Sequence, residues 1–328
     1  MSKSGKSHTH KKQHFVAQCY TKAWHDPSVS ASSTMKPYVW VFDRDGANPR
    51  RKAPVNLFTE TDIYTIKRAD GERDLRLEHG FSELEDKFTR IRNSKFKRHE
   101  WPDAEQIVCL LAFVATAQAR TAAFRDHHRQ QWSGTRKRME EMQAAYKSAS
   151  PAKKATMELM GSPNSESSKV ITLDDVRVLE KYPIQQMIGM ILQSVIPIFQ
   201  RMHVAVLCAA DPIGFVTSDH PCTWFDPESY KLPPIYRGPG LGSCTIEVTF
   251  PISPSQCLII THNSQWQGYI EVQEEVVNEL NCRHIAHCNK TFISCSPQTL
   301  PIWFEQRTMP DDAWEKVREQ KMKSGEWG

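Results

Sequence analysis

The chain has 328 residues, of which 39% are hydrophobic, 24% charged and 9% aromatic. This profile is long and apolar enough to bury a full core, and it excludes disordered, collagen-like and disulfide-scaffold classes. Its formal net charge of +4 conceals an asymmetry: residues 1–150 carry 27 Lys and Arg against 18 Asp and Glu, whereas residues 151–328 carry 15 against 20.

In chain order, residues 1–13 (MSKSGKSHTHKKQ) read as a flexible basic tail with no apolar core of a secretory signal. Residues 14–328 read as one domain. Phe15–Trp24 is rich in aromatics and should be ordered, and Pro27–Lys36 is a Ser-rich loop. Pro37–Phe42 (PYVWVF) is a strand by its β-branched and aromatic content, followed by a turn at Asp43-Arg-Asp-Gly46. Asp62–Ile66 (DIYTI) reads as a second strand. Leu77, Phe81, Leu84, Phe88 and Ile91 recur at helical spacing and form one apolar stripe. A second helix is expected after its cap Asp103, apolar on every side from Ile107 to Ala117, and continuing or restarting through Arg136-Lys137-Arg138. Residues 148–170 look like a surface linker. A third long helix is expected from Thr172 to about Met202, with Pro183 and Pro197 as points of division or kinking. Beyond it the period becomes strand-like at 203–209, 215–217, 245–250, 256–261 and 291–295. Helical spacing returns at 274–288 and 311–323. The expected class is α+β: a helical middle flanked by a small N-terminal β unit and a C-terminal, mainly antiparallel sheet with one or two helices.

No run approaches eighteen apolar residues, so no membrane span or membrane partner is expected. The nine cysteines are odd in number and contain no CxxC pair, which suggests reduced thiols and a cytoplasmic chain. The basic N-terminal half suits an anionic partner such as nucleic acid or a nucleotide.

Several side chains have catalytic character. His14 can move protons near neutrality, and if residues 14–20 are extended it shares a face with Gln18 and Tyr20. Glu78 and Glu85 stack two helical turns apart, where they could hold a divalent metal such as Mg2+ or share acid–base work, or simply pair with a base on a neighbouring element. Gln118 and Arg120 end the buried helix and need definite partners; Arg120 could clamp a phosphate or form an internal ion pair. In Phe215-Val-Thr-Ser-Asp-His-Pro221, Asp219 could orient His14, with Ser218 beside it, or Asp219 could cap a turn. Cys282, His284, His287 and Cys288 crowd one short helix, which cannot close a zinc tetrahedron. No P-loop, GxGxxG or HExxH is present.

His14-Phe-Val-Ala-Gln-Cys-Tyr-Thr-Lys-Ala-Trp24 resembles the opening HFVPQFYLRNF of a bacterial family, domain-of-unknown-function family 4238. Residues 215–221 resemble its second hallmark, FITSDNPV. Weaker likeness runs through Tyr38–Asp43, Gln118-Ala-Arg120-Thr121, Phe250–Pro254 and Leu280-Asn281, and so covers about residues 14–290. Ala17, Cys19 and His220 depart from the family's Pro, aromatic and Asn. The resemblance implies a shared fold and site, but no reaction. The association of such proteins with mobile-element and defence genes suggests a toxin or antiviral effector.

Three functions follow as expectations. The first is an effector nuclease, with His14, Glu78, Glu85, Arg120 and Asp219 as catalytic residues and Gln18, Tyr20, Gln118 and Ser218 at the substrate. The second is a nucleotide-using, NAD-type transferase that draws on His14, Tyr20 or Tyr64, and a glutamate. The third is a non-catalytic sensor or binding module, in which the same residues form a buried network.

Overall fold

A computed structural model describes residues 12–29, 35–67, 70–161, 171–210, 212–305 and 313–324. Most of the basic tail, residues 1–11, lies outside them, but strand β1 (Lys12–His14) already includes the last two residues assigned to that tail. A single turn, α1 (Gln18–Thr21), follows, so residues 14–20 are not one extended run. β2 (Val39–Asp43) and β3 (Arg50–Lys52) form a hairpin whose turn uses Gly46 at φ +82°. β4 (Thr59–Thr61) pairs with β1, with His14 opposite Thr59.

The strand expected at Asp62–Ile66 is instead a turn. Asp62 sits at φ +57°, the Thr65 amide donates to the Asp62 carbonyl at 3.1 Å, and the Tyr64 amide is taken by the Gln13 side chain at 2.8 Å. A long-range hydrogen bond thus captures the donor that a ladder would have used. Only β5 (Ile66–Lys67) is extended there, and it pairs with β6 (Arg73–Asp74).

The apolar stripe does form a helix, α2 (Arg76–Ser94), and buries Phe81, Phe88 and Ile91. Asp103 caps α3 (Ala104–Ala119) in a reciprocal box with Gln106. The chain then restarts, capped by Thr121, as α4 (Ala122–Ser148), which buries no side chain. On α4, Arg136 pairs with Glu140 and Glu180. The expected linker contains a helix, α5 (Pro151–Gly161), opened by a proline in the position helices tolerate; residues 162–170 lie outside the described residues. The long helix expected from Thr172 is two: α6 (Leu173–Lys181), with Thr172 and Asp175 in a capping box, and α7 (Pro183–Phe199), with Pro183 at its start and Pro197 in its last turn.

The remainder is β7 (His203–Ala209), β8 (Thr217–Ser218), β9 (Thr223–Phe225), β10 (Glu247–Ser253), β11 (Gln256–Thr261), β12 (Gly268–Val272), α8 (Glu274–His287), β13 (Thr291–Ser294) and α9 (Ala313–Ser324). One sheet has the order β12-β7-β11-β10-β9, antiparallel except for the β12–β7 pair. A four-stranded sheet has the order β3-β2-β13-β8 and is antiparallel throughout. The β2–β3 hairpin is thus the edge of a sheet completed by C-terminal strands, while β1–β4 and β5–β6 are two-stranded sheets within the N-terminal part. The fold is α+β.

α3 lies against α2 and α7. Its Phe113 stacks on Phe88 at 4.0 Å and meets Phe250 edge-on, and Tyr20 and Trp24 close the cluster. Emptying such a site, as in Phe113→Ala, costs about 3–5 kcal/mol. Among the described residues no single helix is long and apolar enough to cross a membrane.

Candidate functional site

The two motifs meet in the core. The Trp24 indole donates to the Phe215 carbonyl at 2.7 Å, and the Tyr20 hydroxyl lies 2.6 Å from that of Thr217. Tyr20 is fully buried and rings with Phe88, Phe113 and Phe250, so it is a core residue and not the substrate contact expected from the sequence. Burial pushes its phenol well above the ordinary range, despite the Thr217 hydrogen bond. Arg92, from α2, donates to the Cys19 and Tyr20 carbonyls and so satisfies the end of α1.

Arg120 organises the neighbouring region. It caps the C-terminus of α3 and is buried. Its Nη1 meets Glu85 Oε1 at 2.9 Å, Nη2 donates to the His14 carbonyl at 2.6 Å, and Nε donates to the Tyr64 hydroxyl at 3.3 Å. The Tyr64 hydroxyl in turn donates to the Arg120 carbonyl at 2.9 Å, and the guanidinium lies 4.6 Å from the Phe81 ring centre. Burial opposes the Arg120 charge, but Tyr64 and Glu85 outweigh it and raise its pKa. Of the two outcomes left open for Arg120, the internal ion pair is the one formed. It also commits Glu85, so Glu78 and Glu85 are not two equivalent carboxylates facing a metal. Glu78 is half-buried in the first turn of α2, within electrostatic reach of Tyr64.

His14 stands beside this pair. Its pKa is lowered, mainly by burial and also by the Arg120 charge; the Glu85 carboxylate and the Val55 and Pro54 backbone pull the other way. Its Nε2 is buried without a hydrogen-bond partner among the described residues, as is Oε1 of Gln118. Native structures rarely leave such atoms unsatisfied, so each calls for an explanation. Cys19 Sγ lies 3.8 Å from Glu85 Oε2; burial, then Glu85, push its thiol up to about 11, so it stays protonated and is a poor nucleophile. Gln18 is half-buried and opens α1. A cavity of about 10 Å³ lies between the motifs, lined by Ala17, Tyr20, Arg120 and Pro221 among others. It holds a water-sized group and no more.

A family model described as a protein of unknown function (DUF4238) matches residues 12–298. The chain belongs to that family. No curated protein and no solved structure matches it.

In this DUF4238 chain the second motif is scaffolding. Asp219 Oδ1 accepts the Asn289 amide at 2.8 Å, and Oδ2 accepts those of Lys290 and Thr291 at 2.8 and 3.1 Å. The carboxylate therefore pins the turn entering β13, and the groups that act on His14 are Glu85, Arg120 and the Val55 and Pro54 backbone rather than Asp219. Ser218 is buried, and its hydroxyl bonds the His220 amide and carbonyl in a local turn rather than facing a substrate. Asn281, on α8, clasps the motif by accepting the Val216 amide and donating to the Gly214 carbonyl, both at 2.9 Å. His284 is buried between Thr223 and Thr249, at 3.0 and 3.3 Å, and is not a ligand of a Cys/His cluster. Sequence reasoning missed Gln13, Tyr64, Arg92 and Asn281 as framework residues; the signal at Gln13 was a polar residue directly before a strand-like aromatic motif.

Proposed function

We propose that this DUF4238 protein hydrolyses phosphodiester bonds in nucleic acid, with His14 as general base. The observation that carries the reading is the buried His14 Nε2, without a partner among the described residues, beside a buried guanidinium. An imidazole kept neutral by burial accepts a proton rather than donates one. In the proposed step, His14 takes the proton of a water whose oxygen attacks phosphorus, and the ester oxygen leaves. Arg120 is paired with Glu85 and uses three of its five N–H donors internally, which leaves two donors for a phosphate oxygen. A divalent cation such as Mg2+ would serve the reaction by neutralising charge on the phosphate as it is attacked. The basic N-terminal half supports backbone attraction. The internal cavity is too small for a nucleotide, so on this reading the substrate stays outside it.

A specific observation favours the binding-module reading as the second: Arg120, Asp219, Ser218, Asn281 and Gln13 all find internal partners. The NAD-type transferase is less favoured, because Tyr20 and Tyr64 are both buried and bonded and neither wall is open for stacking. In a cell, the proposed activity would make the chain a toxin or phage-defence effector.

The test is induced expression of wild type and His14→Ala at matched soluble levels, followed by gels of total RNA and DNA. The purified proteins are then assayed with Mg2+ and with chelator. Breakdown by wild type, reduced roughly 10²–10⁴-fold in the variant with an unchanged melting temperature, is the expected result. Intact RNA and DNA under every condition refute the nuclease. Growth arrest without breakdown redirects the reading to nucleotide consumption, and unharmed growth to the binding module.

A further inference from the structure

We infer that His99, Cys208 and Glu271 form a zinc site with three protein ligands and an open fourth position. The site uses no residue of the His14 region and is independent of the reading above. The three residues come from distant parts of the chain: the connection between α2 and α3, strand β7 and strand β12. Their ligand atoms (a His99 ring nitrogen, Cys208 Sγ and a Glu271 carboxylate oxygen) all lie within 4.8 Å of one another.

The sheet register places two of them together. Cys208 on β7 is opposite both Glu271 on β12 and Gln256 on β11, so Gln256, Cys208 and Glu271 form one row across three strands. His99 is brought over this row by its own backbone. It adopts a left-handed conformation at φ +55°, uncommon for a residue with a Cβ, directly after a short 3-10 turn. The turn is fixed by the His99 amide donating to Phe96 and the Glu100 amide to Lys95, both at 3.1 Å. The His99 ring then stacks on Tyr269, with centroids 5.1 Å apart and planes within 10°. Tyr269 is itself held by its hydroxyl donating to the Glu100 carbonyl at 2.9 Å. The imidazole is therefore oriented before any ion arrives, as metal-site histidines are by their surroundings.

The chemistry of the set selects the ion. A thiolate, an imidazole and a carboxylate are the ligand types of zinc sites, and three protein ligands with a fourth place for water is the open arrangement. Zinc bond lengths of about 2.0–2.3 Å in a tetrahedron put ligand atoms roughly 3.3–3.8 Å apart. Ligand atoms that lie within 4.8 Å of one another need shift by no more than about 1 Å to reach that spacing, a movement available to the exposed His99 and Glu271 side chains while buried Cys208 stays in place. Gln256 supports the set from beside it: its amide donates to the Phe96 carbonyl at 3.0 Å, which anchors the His99 turn to β11, and it also hydrogen-bonds to the Cys208 sulfur. Burial and then the Glu271 carboxylate hold the Cys208 thiol above its ordinary value; a dication beside the sulfur reverses that preference. A bound ion would tie the α2–α3 connection to the edge of the five-stranded sheet.

The test uses the full chain, freed of metal, titrated with Zn2+ against a chromophoric chelator and with Co2+ to read thiolate-to-metal charge transfer. Wild type should take up one tight equivalent, show the charge-transfer band and melt at a higher temperature with Zn2+. Glu271→Gln lies on an exposed side chain and should leave metal-free melting unchanged, His99→Gln loses the Tyr269 stacking and is compared with its own metal-free baseline, and each should weaken Zn2+ binding at least tenfold. Cys208→Ser should abolish the band. Absence of stoichiometric Zn2+ uptake by wild type overturns the inference. So does uptake that His99→Gln and Glu271→Gln both leave intact, since the ion would then sit on other cysteines.

Discussion

Replacing Arg120 with methionine should cost about 3 kcal/mol, a value that follows from what it leaves behind. The variant keeps most of the apolar volume against Phe81 but strips partners from Glu85, the His14 carbonyl and the Tyr64 hydroxyl. Breaking a buried pair from one side costs about 3–5 kcal/mol, because a desolvated charge is left uncompensated. The Glu85 side chain is 22% exposed and can recover some hydration, which sets the lower end of that range. With an unfolding entropy of about 2.1 cal/mol/K per residue, a chain of this length has roughly 0.7 kcal/mol/K, so the melting temperature should fall by about 4 °C. The assay is thermal and urea unfolding of wild type, Arg120→Met, Glu85→Gln and the double variant. Glu85→Gln keeps an acceptor for Nη1 but leaves the more deeply buried guanidinium without its counter-charge, so it should cost at least as much as Arg120→Met. The double variant should be more stable than the sum of the two losses by at least about 1 kcal/mol, because it leaves no orphaned carboxylate. Additive losses, or an Arg120→Met variant within about 0.5 kcal/mol of wild type, would refute the claim that this ion pair holds the region together.

Three further outcomes are expected. Burial, with the positive charge near His287 and Arg283, lowers the His284 pKa from 6.5 to about 3; the unfolded chain therefore binds the proton first, and stability present above pH 6.5 is lost as pH falls toward 3, by at most about 1.4 kcal/mol per unit. Urea midpoints between pH 6.5 and 5 should show that slope, and His284→Gln should reduce it; an unchanged slope would remove His284 as its source. Gly214→Ala should abolish soluble expression, because Gly214 sits at φ +65° and an added methyl would overlap the Pro254 carbonyl oxygen, whereas Gly268→Ala, at φ +72° with nothing nearby, should cost only about 1–2 kcal/mol; equal urea midpoints for the two would refute the steric argument. Asp219→Asn should cost about 1–3 kcal/mol, since an amide offers one acceptor oxygen to three backbone donors, and a midpoint equal to wild type would show that those donors do not need the carboxylate.

The helices were legible because their signals are local: the stripe from Leu77 to Ile91, the Asp103 and Thr172 boxes and the Pro183 break each act within a few residues. The strands were less so. β9 is three residues long and β12 opens on a positive-φ glycine, and neither carries a period long enough to read. The Asp62–Ile66 run has strand composition but turns, because Gln13 takes the amide of Tyr64 from fifty residues away. The same distance hid the framework. Nothing around Asp219 specifies that its carboxylate will meet the amides of residues 289–291, and nothing around Arg120 specifies which glutamate it will find. The sequence could show that these groups need partners, because burial makes an unpaired charge too costly; only the fold supplies which ones.

That distribution of partners decides how the motif should be tested. Substituting Arg120, Asp219 or Asn281 removes a framework contact, so any loss of activity would be confounded with loss of structure. His14 is different. Its carbonyl receives Arg120 and Tyr64, the strand register sets it against Thr59, and its ring meets the backbone of Val55 and Pro54. Its ring nitrogen Nε2 bonds nothing among the described residues. His14→Ala keeps the carbonyl and the register and removes the imidazole with its contacts to the Val55 and Pro54 backbone. Of the motif residues, it is therefore the one whose replacement can separate chemistry from folding. If His14→Ala proved as destabilising as Arg120→Met, the imidazole would itself belong to the frame, and the nuclease reading would lose the observation it rests on.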